Sequence, residues 1–231
     1  MKRAALSIAN AKGLPGSAGM MIENAQGKRC LLTNHHVVFG GGAVTHDPVW
    51  ALPPDYDGGS RVHAVFLGRG LTGRIGRVSV AEGTCFVDCA LVQIGDETTF
   101  PPWLAAEIAN SSVVGIGDAE VGLPVEKYGA TTGFTTGSIV DAAYVDHPYV
   151  GGRWWSAPGQ LLVDPFDPEL NFSGPGDSGA TLLDEQGRAI GLLWGTNANG
   201  QGIACPIRAV LECLGLALPT PTARPSMEGL S

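Results

Sequence analysis

The sequence predicts an all-β protein built as two antiparallel β-barrels with a short C-terminal helix. Three observations carry this expectation. Of 231 residues, 34 are Gly and 16 are Pro, while charged residues make up only 16%. That many breakers with so few charges fit neither a helical bundle, nor a coiled coil, nor a disordered chain. Second, short apolar runs are separated by Gly, Asn and Asp clusters, which suits hairpins. Third, residues 100–112, opened by Pro101-Pro102, divide the chain into halves of similar size. Periodicity alone leaves one large sandwich as the alternative.

Taken in order, residues 18–22 and 29–33 read as a strand pair around a turn at 24–28. Further strand-like runs are 62–67, 74–80, 84–94, 113–117, 138–145, 160–163, 179–183, 189–194 and 202–206. Only 207–216 reads as a helix, with Ile207, Val210, Leu211 and Leu214 at i, i+3, i+4 and i+7. The expected organisation is a first barrel over 1–105, a second over 106–218 and a disordered Pro-rich tail over 219–231. No fixed-period repeat is present.

The formal charge is −8, and only four of the 14 basic residues are Lys. This argues against a nucleic-acid-binding surface, which must neutralise phosphates. No apolar run approaches the ~20 residues needed to span a bilayer. Met1-Lys2-Arg3-Ala4-Ala5-Leu6 begins like a secretion signal, but Ser7, Asn10 and Lys12 interrupt the apolar stretch. The expectation is a cytoplasmic protein with no membrane contact. Five Cys at 30, 85, 89, 205 and 213, an odd number without paired spacing, suit reduced thiols. Cys85 and Cys89 lie on one face of a strand with no second pair at knuckle spacing, so no metal and no cofactor is expected. An arginine run at 61, 69, 74 and 77 reads as a solvated hairpin face rather than a site for an acidic partner.

Three segments carry chemistry. In Gly174-Pro175-Gly176-Asp177-Ser178-Gly179-Ala180 a Ser sits between glycines, where backbone N–H groups can converge on a developing oxyanion. Taken as structure alone, the heptad is a Gly-rich hairpin turn. Leu31-Leu32-Thr33-Asn34-His35-His36-Val37-Val38 ends an apolar strand in a polar turn bearing two imidazoles, a mount for a general base. In Phe86-Val87-Asp88-Cys89-Ala90-Leu91 a carboxylate interrupts an apolar strand, which is costly unless it is paired.

Chain order discriminates better than any one motif. All five His (35, 36, 46, 63 and 147) precede Ser178, and the first Asp is Asp47. The order Ser–acid–His and the order acid–His–Ser are therefore excluded for a base at 35 or 36. His–Asp–Ser survives, with base and acid in the first half and nucleophile in the second. A site in the cleft between two barrels follows.

These segments resemble those of trypsin-like (chymotrypsin-fold) serine proteases, especially the disulfide-poor bacterial types similar to HtrA and streptogrisin. Thr33-Asn34-His35-His36-Val37, Asp88-Cys89-Ala90-Leu91 and Gly176-Asp177-Ser178-Gly179 match the three catalytic blocks. Lys127-Tyr128-Gly129-Ala130-Thr131-Thr132-Gly133 through Gly137 resembles a second-barrel hairpin of bacterial members. The likeness spans about residues 17–216. It places the base directly before Val, selecting His36 over His35.

The resemblance implies a serine endopeptidase with a His36, Asp88 and Ser178 triad and an oxyanion hole at the N–H groups of Gly176 and Ser178. It implies that Leu193, Trp194 and Gly195 take the substrate backbone as an added strand. It sets Phe172, Ser173, Gly195 and Gly202 around the specificity pocket. No acid stands at the pocket base, and Leu192 stands where Glu-selective members carry a His, so an uncharged residue is expected before the scissile bond. Asp164, Asp167 and Glu169 are close enough in sequence to enter if the loop bends differently. The chain also departs from the family. It has no activation peptide, no apolar N-terminal start and no mappable family disulfide, so Asp177 needs another partner or an effector protein. The implied partners are a protein or peptide substrate and a protein that activates or restrains the enzyme. A catalytically silent binding module and an esterase or acyl-transferase on the same triad are the other classes weighed.

Overall fold

The computed structural model describes residues 6–53, 63–81, 83–150 and 152–216. Seven strands make the first sheet: β1 (Ser7–Asn10), β2 (Pro15–Ser17), β3 (Met21–Glu23), β4 (Arg29–Thr33), β5 (Pro48–Leu52), β6 (Val65–Val80) and β7 (Gly83–Ile94). Across the sheet they run β2-β1-β5-β6-β7-β4-β3, antiparallel throughout. The edge strands β2 and β3 follow one another in sequence, joined by residues 18–20. Ala18 N donates to Leu6 O (2.8 Å) on one side and Gly19 N to Leu32 O (3.0 Å) on the other. The sheet thereby curls round on itself, and a core of Ile8, Leu31, Val49, Leu67, Val92 and their neighbours fills it.

The second half contains β8 (Pro124–Gly129), β9 (Gly133–Asp146), the small hairpin β10 (Tyr149–Val150) and β11 (Arg153–Trp154), then β12 (Ala157–Pro165), β13 (Thr181–Leu183), β14 (Ala189–Thr196) and β15 (Gly202–Pro206). Six of these close a barrel in the order β12-β15-β14-β13-β8-β9. Two barrel-like sheets are thus the architecture, and a single sandwich is not.

Strand β7 explains how the halves meet. It is buried from Cys85 to Val92. Its odd-numbered residues Cys85, Val87, Cys89 and Leu91 pack in the cluster shared with β14, β15 and the last helix, while Ala90, Val92 and Ile94 point into the first core. A strand covered on both faces reads as a continuous apolar run rather than an alternating one.

Helix α1 (His35–Val38) is a single turn, and α3 (Ile207–Cys213) closes the described chain where a helix was expected. Helix α2 (Pro102–Asn110) was not expected. Proline opens it at a position where its missing N–H costs nothing. Leu104 and Ile108, one turn apart, anchor it in the first core. The division set at 105/106 falls inside this helix, so the connector goes with the first sheet.

Other corrections are local. Residues 113–117 make only an isolated bridge, Ile116 with Ala189. The runs 62–67 and 74–80 merge into β6, which continues through Gly70 and Gly73 with a register shift between Gly70 and Thr72. Residue 62 and the tail at 219–231 lie outside the described residues. Among the described residues, no helix is long and apolar enough to cross a membrane.

Candidate active site

Asp88 is 2% exposed in the middle of β7. Its carboxylate is satisfied entirely from the α1 turn. His36 N donates to Oδ1 at 3.1 Å, and His36 Nδ1 lies 2.6 Å from Oδ2. Asn34 Nδ2 donates to the Asp88 carbonyl at 2.6 Å, fixing the turn to the strand. Register does the rest, since β4 pairs with β7 through Thr33 and Ala90 just before α1 begins. Burial alone would push the His36 pKa down. The Asp88 charge and hydrogen bond outweigh it and leave the imidazole above its ordinary value. His35 goes the other way, lowered chiefly by burial, and its ring packs on Phe39 with centroids 5.2 Å apart.

Ser178 lies in a turn between Gly176 and Gly179, both at φ +101, a conformation that favours glycine. The turn is clamped to the first sheet. Ser17 N donates to Ser178 O at 2.7 Å, and Ser17 Oγ donates to Gly176 O at 2.9 Å. A Cβ on Gly179 would fall 2.1 Å from Ser17 O and 2.3 Å from Thr33 Oγ1. Gly16 separates the α1 turn from the Ser178 turn: a Cβ there would fall 2.5 Å from the Val37 side chain and 3.1 Å from Ser178 O. Ser178 Oγ donates to Trp194 O at 3.2 Å rather than to His36. The N–H groups of Gly176 and Ser178 have no partner among the described residues.

The partner that Asp177 needs comes from within the chain. Lys127 Nζ lies 3.1 Å from Asp177 Oδ2, and neither side chain is exposed. Thr132 Oγ1 and Gly174 N also donate to Oδ2 at 2.6 and 3.0 Å, and Thr131 N and Thr132 N donate to Oδ1 at 2.8 and 3.1 Å. Lys127 Nζ donates in addition to Thr132 Oγ1. Burial works to raise Asp177, but the Thr132 hydroxyl, Lys127 and the two amides hold it below its ordinary value. Burial lowers Lys127, against the pull of Asp177. Gly129 lets the pair approach, since a Cβ there would stand 2.2 Å from Asp177 Oδ1. The sequence carried a signal for this pair: inward positions along β8 are Val125, Lys127 and Gly129. A lysine on the inward side of a strand needs a buried counter-charge.

The residues assigned to the specificity pocket pack on one another. Phe172 is fully buried in the second core. Its ring occupies the space left open by Gly202 and Gly137, where an added Cβ would lie 2.5 and 3.0 Å away. Ser173 Oγ donates to Gly195 O and Thr196 Oγ1 to Ser173 O, each at 3.3 Å, tying one wall to the other. Asp164 is engaged by the Gln201 amide. Asp167 and Glu169 are exposed in a local turn, Glu169 N donating to Asp167 Oδ1 at 3.0 Å. Trp194 donates from Nε1 to Gln160 Oε1 at 2.7 Å. Leu193 N and O are already bonded to Ala180 O and Gly179 N at 2.9 and 2.8 Å, so its main chain is taken up inside the barrel. Among the described residues, no cluster of His, Cys, Asp and Glu is arranged to hold a metal ion.

No protein-family model matches the chain, and no curated protein sequence matches it. Solved structures do. Thermobifida fusca protease A superposes with a TM-score of 0.59 at 18% identity, covering 95% of this chain and 98% of its own. A Nocardiopsis protease gives 0.59 at 18% identity, with 95% and 99% covered. A glutamic-acid-specific serine protease that uses a histidine triad in substrate binding gives 0.56 at 20% identity, with 90% and 95% covered. The chain therefore has the fold of bacterial chymotrypsin-like serine proteases. At this identity, the likeness establishes the fold.

Proposed function

We propose that this protein is a serine endopeptidase whose triad is His36, Asp88 and Ser178. The observation that carries the reading is the 2.6 Å contact of His36 Nδ1 with the buried Asp88 carboxylate, on a turn whose Val37 and the Ser178 carbonyl both border Gly16. Bound in this way, Nδ1 keeps its proton and leaves Nε2 as the basic nitrogen. A rotation of the Ser178 side chain moves its hydroxyl from the Trp194 carbonyl to that nitrogen. Catalytic hydrogen bonds commonly tighten only in the substrate complex. His36 then takes the hydroxyl proton as Oγ attacks the scissile carbonyl. The oxyanion settles on the N–H groups of Gly176 and Ser178, and His36 returns the proton to the leaving amine. Water resolves the acyl-enzyme by the same steps.

The Phe172 ring, packed against Gly137 and Gly202, fills space next to Ser173 and favours a small, uncharged residue before the scissile bond. Trp194 and Gly195 offer the main chain against which an extended peptide would lie. The five free thiols support a reducing, cytoplasmic setting and a regulated intracellular role.

The test is labelling of the purified protein with a fluorophosphonate, beside Ser178→Ala and His36→Ala. Labelling of the wild type alone is the expected result. Equal labelling of Ser178→Ala would place the reactive group elsewhere, and no labelling would make the chain a silent binding module. Matched peptide and ester substrates then separate a peptidase from an esterase.

A further inference from the structure

Four cysteines outside the triad gather where β7 meets β15 and α3. Cys85, Cys89 and Cys205 are buried in one cluster, and Cys213, at the end of α3, packs against it while remaining partly exposed. They surround the strand that carries Asp88, whose N–H donates to Cys205 Sγ at 3.4 Å. Their environments differ sharply. Cys213 packs against the cluster that holds Cys89, and the interaction between the two thiols, with burial acting in the same sense, keeps the proton on Cys89. The same contact, helped by the Arg74 guanidinium and opposed by burial, lowers Cys213 to about 7. Burial pushes Cys30 and Cys205 up; Cys30 belongs to the same buried cluster but is fully enclosed on β4. Only Cys213 opens on a groove, of about 490 Å3, which Arg74, Ser79 and Glu212 also line. Glu212 is turned aside there, its carboxylate accepting from Ala81 N at 3.1 and 3.2 Å.

We propose that Cys213 and Cys89 are a peroxide-reactive dithiol, with Cys213 the attacking sulfur at the groove and Cys89 the resolving sulfur behind it. A thiolate beside a cation and open to solvent meets the requirements for attack, and a second thiol in contact supplies the resolving step. The Cys213 thiolate attacks one oxygen of a hydroperoxide. The O–O bond breaks, and the departing oxygen leaves as water or alcohol after taking up a proton. Cys213 is then a sulfenic acid. Cys89 gives up its proton and attacks the Cys213 sulfur, the S–O bond breaks, and hydroxide leaves as water. Two thiols are oxidised to one disulfide, and one peroxide bond is reduced. The product fastens α3 to β7 one residue from Asp88. The proposal does not depend on the peptidase reading.

The test treats the reduced full-length protein with equimolar hydrogen peroxide and reads intact mass, followed by a non-reducing peptide map. The expected product is lighter by about 2 Da, carries one Cys89–Cys213 link and reverts with dithiothreitol. Cys89→Ala is expected to stop at a sulfenic acid trapped by dimedone on Cys213. Cys213→Ser is expected to react at least about tenfold more slowly. Thermal melts of both variants confirm that they are folded. A different cysteine pairing, over-oxidation of Cys213 without a link, no reaction, or an undiminished rate in Cys213→Ser would each overturn the proposal.

Discussion

Lys127 Nζ and Asp177 Oδ2 lie 3.1 Å apart with neither side chain reached by solvent. The pair ties β8 to the residue immediately before Ser178. Removing one member leaves the other charged and unpaired, a loss of about 3–5 kcal/mol. Lys127→Met should therefore lower the urea midpoint and cut fluorophosphonate labelling at temperatures where the protein is still folded. Lys127→Met with Asp177→Leu should regain much of the stability, because apolar pairs replace buried ion pairs well. Labelling should stay low, since Asp177 also holds Gly174, Thr131 and Thr132. Wild-type labelling by the double variant would mean the carboxylate does not shape the turn.

Asp88→Asn keeps the size of the side chain and removes its charge. The His36 ring would lose the acceptor that sets its tautomer, and peptide hydrolysis should fall by about 10⁴-fold, the loss measured for the equivalent change in trypsin. Substrate affinity should barely move, because Asp88 is buried behind the imidazole. A change confined to KM would assign Asp88 a role in binding instead.

The pH dependence follows from two groups with opposite shifts. His36 is raised above 6.5, so it remains protonated to higher pH than an ordinary histidine, and the base form appears only above that point. Labelling should rise with pH through a midpoint above 6.5. The same shift adds stability that is complete below the unfolded value and is lost as pH rises through the folded one. Asp177 is depressed, so its contribution is present above the ordinary carboxylate range and is lost as pH falls through its lowered value. Activity should thus fail on acidification well before the protein unfolds, which parallel labelling and circular dichroism titrations would resolve. Coincident transitions would contradict the assignment.

Peptide substrates varied only before the scissile bond should rank Ala above Phe and Arg by about 100-fold in kcat/KM, the scale set by a few misfitted methylenes. Ser173→Gly, which removes the hydroxyl's bond to Gly195 O, should narrow that gap for medium-sized residues. A preference for Arg or Phe would show that the Phe172 ring moves aside.

Several parts of this arrangement were legible from residues alone. The 202–206 and 29–33 strands were read to the residue, because clear turns bound each run. An acid in an apolar strand demanded a partner, and the family resemblance, not the residues alone, chose His36 over His35 for it. Strands β1, β2 and β5 were missed. They are only three to five residues long, so no local period marks them. Helix α2 was hidden by its opening prolines, which announce a linker and a helix start equally well. The buried lysine escaped because its partner is 50 residues away. The packing of the Phe172 ring depends on two glycines, Gly137 and Gly202, from different strands.

Strand β2 is only three residues long, yet it belongs to both halves of the molecule. Its Ser17 holds the carbonyls of Ser178 and Gly176 on one side of the cleft, accepts Ala130 N at 2.8 Å, and takes Thr33 Oγ1 on its own carbonyl at 2.9 Å. The Ser178 turn is therefore a joint rather than a possession of the second barrel. Neither barrel can unfold without releasing it, so the molecule should melt in one step, and a second barrel produced alone would carry Ser178 on a turn with nothing to grip.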